Sequence, residues 1–236
     1  MTTTLITGAN KGLGLETARQ LISAGHTVYL GSRDLERGRL AAEKIGARAV
    51  QLDVTDGMSV TAAAQTIADD GGLDVLVNNA GIAPEWHADG TVASASDVTA
   101  ELMEQTFDTN VVGVVRVLHG FLPLLAQSLA PVVVNVSSGL ASMDRATTPG
   151  APGYGYPGVA YPASKSALNM VTIQFTKAFP AIRINAVEPG FTATDLNGEA
   201  GHQTVEQGAE IIVAMAKVGP DGPTGGFFSR AGSMAW

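Results

Sequence analysis

The chain has no cysteine among its 236 residues, which excludes disulfides and thiolate metal sites. It is short of cations: 14 lysines and arginines stand against 22 acidic residues, a net charge of −8. An acidic chain of this kind lacks the broad basic face that nucleic-acid binding needs, so any anionic ligand has to be held locally, by backbone amides and a few cations. His26, His87, His119 and His202 show no ligand spacing such as H-x-x-x-H, and no metal is expected. Long apolar runs are missing too. The longest, 118–136, is broken by Pro123, Pro131 and Asn135 and reads as a helix end, a break and a strand. Met1-Thr-Thr-Thr runs straight into Leu5-Ile6 with no basic or apolar leader. The expectation is a cytoplasmic protein with no membrane partner.

What is present is a regular alternation. Short apolar, β-branched runs at 4–7, 27–31, 49–54, 75–78, 132–136, 183–187 and 226–229 read as strands. Between them, 12–23, 34–45, 58–68, 100–126, 161–179 and 204–217 carry helical patterns. This order predicts one α/β domain over 1–236, with a doubly wound parallel sheet and helices on both faces. Val132-Val-Val-Asn-Val136 is apolar at nearly every position, as a strand covered on both sides must be. Two segments break the alternation: 82–98, with Pro84 and Trp86, and 139–160, rich in Gly and Pro. Both follow strands and therefore belong to the carboxyl edge of the sheet, where open α/β folds bind ligands.

The first strand leads into Thr7-Gly8-Ala9-Asn10-Lys11-Gly12-Leu13-Gly14. Glycines here permit a tight turn and let backbone amides approach a pyrophosphate at the positive end of a helix. The second strand ends at Gly31-Ser32-Arg33. A site selecting NAD places a carboxylate about 20 residues past the glycines, whereas an arginine nearby accommodates a 2′-phosphate. Ser32 stands where the carboxylate would be, Arg33 follows, and Lys11 in the glycine loop can reach the same phosphate. The pattern favours NADPH/NADP⁺. The plainer alternative for Arg33 is a surface charge paired with Asp34 or Glu36.

These residues resemble the short-chain dehydrogenase/reductase family over essentially the whole chain. The glycine loop is similar to its cofactor motif, with Asp53-Val54 after the third strand and Asn78-Asn79-Ala80-Gly81 after the fourth. Asn110, Ser138, Tyr161-x-x-x-Lys165 and Pro189-Gly190 follow in order. Gly8–Gly14, Ser32-Arg33-Asp34 and the tail from Gly222 to Trp236 resemble the NADPH-dependent carbonyl reductases within it. The resemblance implies a seven-stranded Rossmann-type sheet in the order 3-2-1-4-5-6-7. It implies adenine contacts at Asp53 and Val54, cofactor contacts at Asn79, Ala80 and Gly81, and a Lys165 that holds the nicotinamide ribose. Pro189, Gly190 and Phe191 would position the nicotinamide amide, with Thr192 and Thr194 near the amide and the pyrophosphate. The stretch from Ser138 to Tyr161 is intermediate in length for the family, which leaves monomer and homo-oligomer both open.

The chemistry of the tetrad follows. Tyr161 and Lys165, four apart, share one helical face. A free tyrosine titrates at about 10, and a neighbouring ammonium is expected to favour its phenolate, making it a usable acid or base. Ser138, at the end of a central strand, would hydrogen-bond the substrate oxygen; the resemblance implies it over Ser137, since the family pattern places the acting serine second in the pair. Asn110 stands mid-helix, a poor place for Asn, and the family resemblance implies that it organises a water relaying protons to the lysine. Trp86, Leu140, Met143, Tyr154 and Tyr156 are the expected walls of a mostly apolar pocket for a small carbonyl or alcohol substrate. The reaction read from the sequence is NADPH-dependent reduction of a ketone or aldehyde. The rivals are an NAD(P)⁺-dependent secondary-alcohol dehydrogenase and a cofactor-binding regulator without catalysis.

Overall fold

The computed structural model describes residues 2–87 and 90–236; positions 88 and 89 of the polar segment 82–98 lie outside them, as does the first residue. The aliphatic runs form strands β1 (Thr3–Ile6), β2 (Thr27–Ser32), β3 (Arg48–Gln51), β4 (Val75–Asn78), β5 (Val132–Val136), β6 (Arg183–Val187) and β7 (Phe227–Ser229). All seven pair in parallel, in the order 3-2-1-4-5-6-7. An eighth strand, β8 (Gly232–Ser233), pairs antiparallel with β7, so the sheet has one strand more than expected. It is two residues long, too short for any alternation of apolar side chains to announce it.

Strand side chains alternate between two cores. Leu5, Leu76 and Val133 point to one face and are fully buried with Val117, Phe121 and Leu168. Ile6, Val75, Val77 and Val134 point to the other, against Ala18, Leu21 and Ile212. The helices supplying these layers are α1 (Gly12–Ser23), α2 (Leu35–Ile45), α3 (Gly57–Asp69), α4 (Ala100–Phe107), α5 (Gly113–Leu125), α6 (Met143–Thr147), α7 (Ala160–Ala178) and α8 (Val205–Ala216). No helix among the described residues is long and apolar enough to cross a membrane.

Two differences from the sequence reading matter for the site. The helix expected over 100–126 is broken into α4 and α5 by a π-helical turn, Asp108–Val112, which contains Asn110. Single π turns of this kind are frequent at functional sites. The third strand stops at Gln51, and the apolar Leu52 and Val54 are buried as loop residues beyond it. Because the strands are parallel, the residues following β1, β2, β4, β5 and β6 all emerge on one edge. The order reverses between β1 and β4, where a crevice opens in folds of this kind.

Candidate active site

The loop from Gly8 to Gly14 is built to be approached closely. Gly8 has φ 63° and Gly12 φ 55°, a left-handed conformation that side chains disfavour. A Cβ on Gly14 would lie 2.5 Å from Asn79 Nδ2 and 2.8 Å from Ala9 Cα. α2, α3, α4 and α8 are capped by Asp34, Asp56, Thr99 and Thr204, but the N-cap residue of α1, Lys11, offers no side-chain cap. The first amides of α1 are therefore available to an anion. The turn after β4 braces this cradle: Thr7 Oγ1 accepts from the Asn79 and Ala80 amides, each at 3.0 Å. Asn79 Nδ2 donates to the Thr7 and Gly8 carbonyls. Asn79 thus holds the glycine loop with the amide expected to face cofactor. Asn10 and Leu13 are half-buried on the same loop.

At the far end of the crevice Ser32 is buried and donates to the Asp34 carbonyl at 2.7 Å. Asp34 and Glu36 pair with Arg37 and Arg39, so Arg33 is exposed with no ion pair among the described residues. Lys11, in the glycine loop, has its ammonium 2.5 Å from Asp195, in the loop after β6. Asp53 accepts from the Thr55 amide and hydroxyl, and Val54 is buried beside it against Gly113. A nicotinamide dinucleotide fits this surface. The uncapped helix end and glycines suit a pyrophosphate, and the unpaired guanidinium suits a phosphate on the ribose.

The catalytic candidates converge where β4, β5 and α7 meet. Lys165 is buried and donates to the Val136 carbonyl at 2.8 Å; its Nζ lies 5.6 Å from the Tyr161 ring centre. Ser138 stands beside Tyr161 and favours its phenolate, and its Oγ accepts the Leu140 amide. Ser137 is buried with its hydroxyl on Asn169. Asn110 is fully buried, and its amide exchanges two 2.9 Å bonds with the Ile82 backbone and donates to Ser164 Oγ at 3.0 Å. Ser164 in turn donates to the Tyr161 carbonyl. Both Nδ2 hydrogens of Asn110 are thereby committed to fixing the loop after β4 against α7. Gly81 faces this junction; a Cβ there would be 3.3 Å from Asn110 Oδ1 and 3.4 Å from Lys165 Nζ.

The electrostatics correct one expectation. Burial pushes the Tyr161 phenol up to about 12; Ser138 opposes this, while the Glu85 and Glu188 charges add to it. Lys165 does not make it a phenolate. Burial instead pushes the Lys165 ammonium down to about 8. Below pH 8 both folded and unfolded states are protonated, and folding bears the full desolvation cost, about 3 kcal/mol. Between 8 and 10.5 the folded state releases its proton first, so the cost is relieved as pH rises. Lys165→Met, which forfeits one hydrogen bond of about 1 kcal/mol, is expected to be more stable than wild type by about 2 kcal/mol near neutral pH. Denaturant melts across pH check this: the gap should narrow steadily above pH 8.

The loop after β6 closes the far side. Gly190 has φ 89°, and the Gln203 amide donates to the Pro189 carbonyl and, at 2.8 Å, to Thr192 Oγ1. Thr194 caps the turn that carries Asp195. Among the pocket candidates, Trp86 lies 6.4 Å from Tyr156 and 6.2 Å from Phe191, ring centre to ring centre. Leu140 packs toward Gly153. Tyr154 and Met143 do not join this wall. They are 50% and 62% exposed; Met143 opens the short helix 143–147, whose Asp144 amide donates to the Trp236 carbonyl. Glu85, Ser164, Glu188 and Gln203 have roles in this geometry that no sequence motif marks.

A family model described as short chain dehydrogenase matches residues 2–205. The chain belongs to that family, whose members use a nicotinamide cofactor. Short-chain dehydrogenase/reductase 1 of Saponaria officinalis is 36% identical over 96% of this chain and 93% of its own. A (+)-neomenthol dehydrogenase of Arabidopsis thaliana is 33% identical over 96% and 95%. The structure of an NADPH-bound carbonyl reductase from chicken fatty liver superposes with a TM-score of 0.83 at 27% identity, covering 100% of this chain and 99% of that one.

Proposed function

We propose that the chain is a single-domain, NADPH-dependent reductase of apolar ketones or aldehydes. The observation carrying this reading is the convergence of Ser138, Tyr161 and Lys165 beside a glycine cradle that suits a dinucleotide. The cofactor, when bound, supplies the hydride that reaches the carbonyl carbon. The chain's part is to hold the substrate oxygen between the Ser138 and Tyr161 hydroxyls and to deliver a proton to it from Tyr161 Oη. A phenol held up at about 12 is neutral at any physiological pH, so it is loaded as a donor. The Lys165 ammonium then stabilises the phenolate that remains.

Preference for NADPH rests on the unpaired Arg33 and on Ser32 in place of a carboxylate. The chicken structure, which holds NADPH, favours the same choice. The aromatic wall of Trp86, Tyr156 and Phe191 favours alicyclic or aryl carbonyls, in keeping with the alcohol named for the Arabidopsis relative. Steady-state turnover of purified protein with NADPH against linear, alicyclic and aryl carbonyls tests the reading. Cyclic substrates should be consumed with the highest kcat/KM; no NADPH oxidation with any of them would overturn it.

A further inference from the structure

Glu85 is a carboxylate 1% exposed to solvent, in a loop, five residues past Ala80. A buried ionised carboxylate is costly unless hydrogen bonds compensate it, and both its oxygens are engaged. Oε1 accepts from the Tyr156 hydroxyl at 2.7 Å, and Oε2 accepts from the Tyr161 amide at 3.1 Å. That amide belongs to the first turn of α7, whose N-cap residue, Val159, offers no side-chain acceptor. Glu85 supplies the missing cap from 76 residues away, at the helix end where a negative charge is favoured. Gly158 makes room for it: a Cβ there would run into Glu85 Oε1 and lie 2.7 Å from its Cδ.

We propose that Glu85 is a positioning residue of the reductase site, a buried cap that fixes the amino end of α7, and with it Tyr161, to the substrate wall at Tyr156 and Trp86. The proposal rests on the reductase reading above. Tyr161 is faced by Ser138 from the end of β5, Lys165 from its own helix, Glu85 from the loop after β4 and Glu188 from the end of β6, with Arg145 of α6 beside Glu188. Of the two acidic groups, only Glu85 is bonded to the tyrosine's own backbone. Its charge also raises the proton affinity of the phenol, so neutralising it should make Tyr161 titrate lower.

The test uses Glu85→Gln, which keeps the shape, and Gly158→Ala, which displaces the carboxylate without removing it. kcat and KM for ketone reduction are measured for both and for wild type. Wild-type turnover establishes the reductase reading separately. In both variants kcat should fall roughly tenfold through misplacement of Tyr161 while KM changes far less, and Glu85→Asp, which keeps the carboxylate, should recover part of kcat. An active wild type whose kcat is unchanged in both variants, or a loss that Glu85→Asp does not relieve, would overturn the proposal.

Discussion

Tyr161→Phe is expected to lower kcat for carbonyl reduction by roughly 10²- to 10⁴-fold, the usual worth of a positioned general acid. The substitution removes one oxygen and keeps the ring, so packing at the head of α7 survives and the melting temperature should change little. Its effect falls on the transition state, where the substrate oxygen becomes basic and needs a proton. KM for the ketone should therefore change far less than kcat, the pattern of an interaction made only in the transition state. Ser138 remains to hold the oxygen but cannot replace the proton. Lys165 keeps its bond to the Val136 carbonyl, with its ammonium 5.6 Å from the centre of the ring at 161. A variant retaining more than about a tenth of wild-type kcat would show that another group delivers the proton.

The second large effect concerns cofactor choice. Arg33→Gln combined with Lys11→Gln should raise KM for NADPH by roughly 10- to 100-fold, the worth of one or two charge-assisted bonds to a phosphate. KM for NADH should stay within about twofold, since it lacks the group both cations would contact. The structure divides the two contributions unequally. Arg33 is unpaired, whereas Lys11 is held by Asp195 across the crevice and must leave that partner to reach a phosphate. Arg33→Gln alone should therefore account for most of the double variant's loss. Parallel effects on both cofactors would refute the assignment of Arg33.

Much of this was legible in residue order because the fold repeats one simple unit. Aliphatic runs such as Val132–Val136 declare parallel strands, and parallel strands bring every strand-to-helix loop to one edge. The polar and Gly/Pro-rich loops at 82–98 and 139–160 fall on that edge for this reason, whereas Asn79, Ser138 and Tyr161 are marked by their resemblance to family motifs. The π turn at Asn110 was not legible, since the apolar spacing of 100–126 continues through it. Nor was Glu85, because a carboxylate in a polar loop looks solvated until the fold buries it. The four-residue spacing of Tyr161 and Lys165 conveyed adjacency but not desolvation, which reverses the expected shift of the phenol. The five-residue helix that leaves Met143 62% exposed was not legible either, since it lies in a Gly- and Pro-rich stretch.

In the proposed reaction a hydride reaches a carbonyl carbon in this crevice while Tyr161 protonates the oxygen. Incubating the protein with an alicyclic ketone and NADPH deuterated at the transferable position addresses it directly. Mass and proton spectra of the product should place one deuterium on the carbinol carbon, and Tyr161→Phe should suppress its formation. Product without deuterium, or labelled product formed equally fast by Tyr161→Phe, would contradict it.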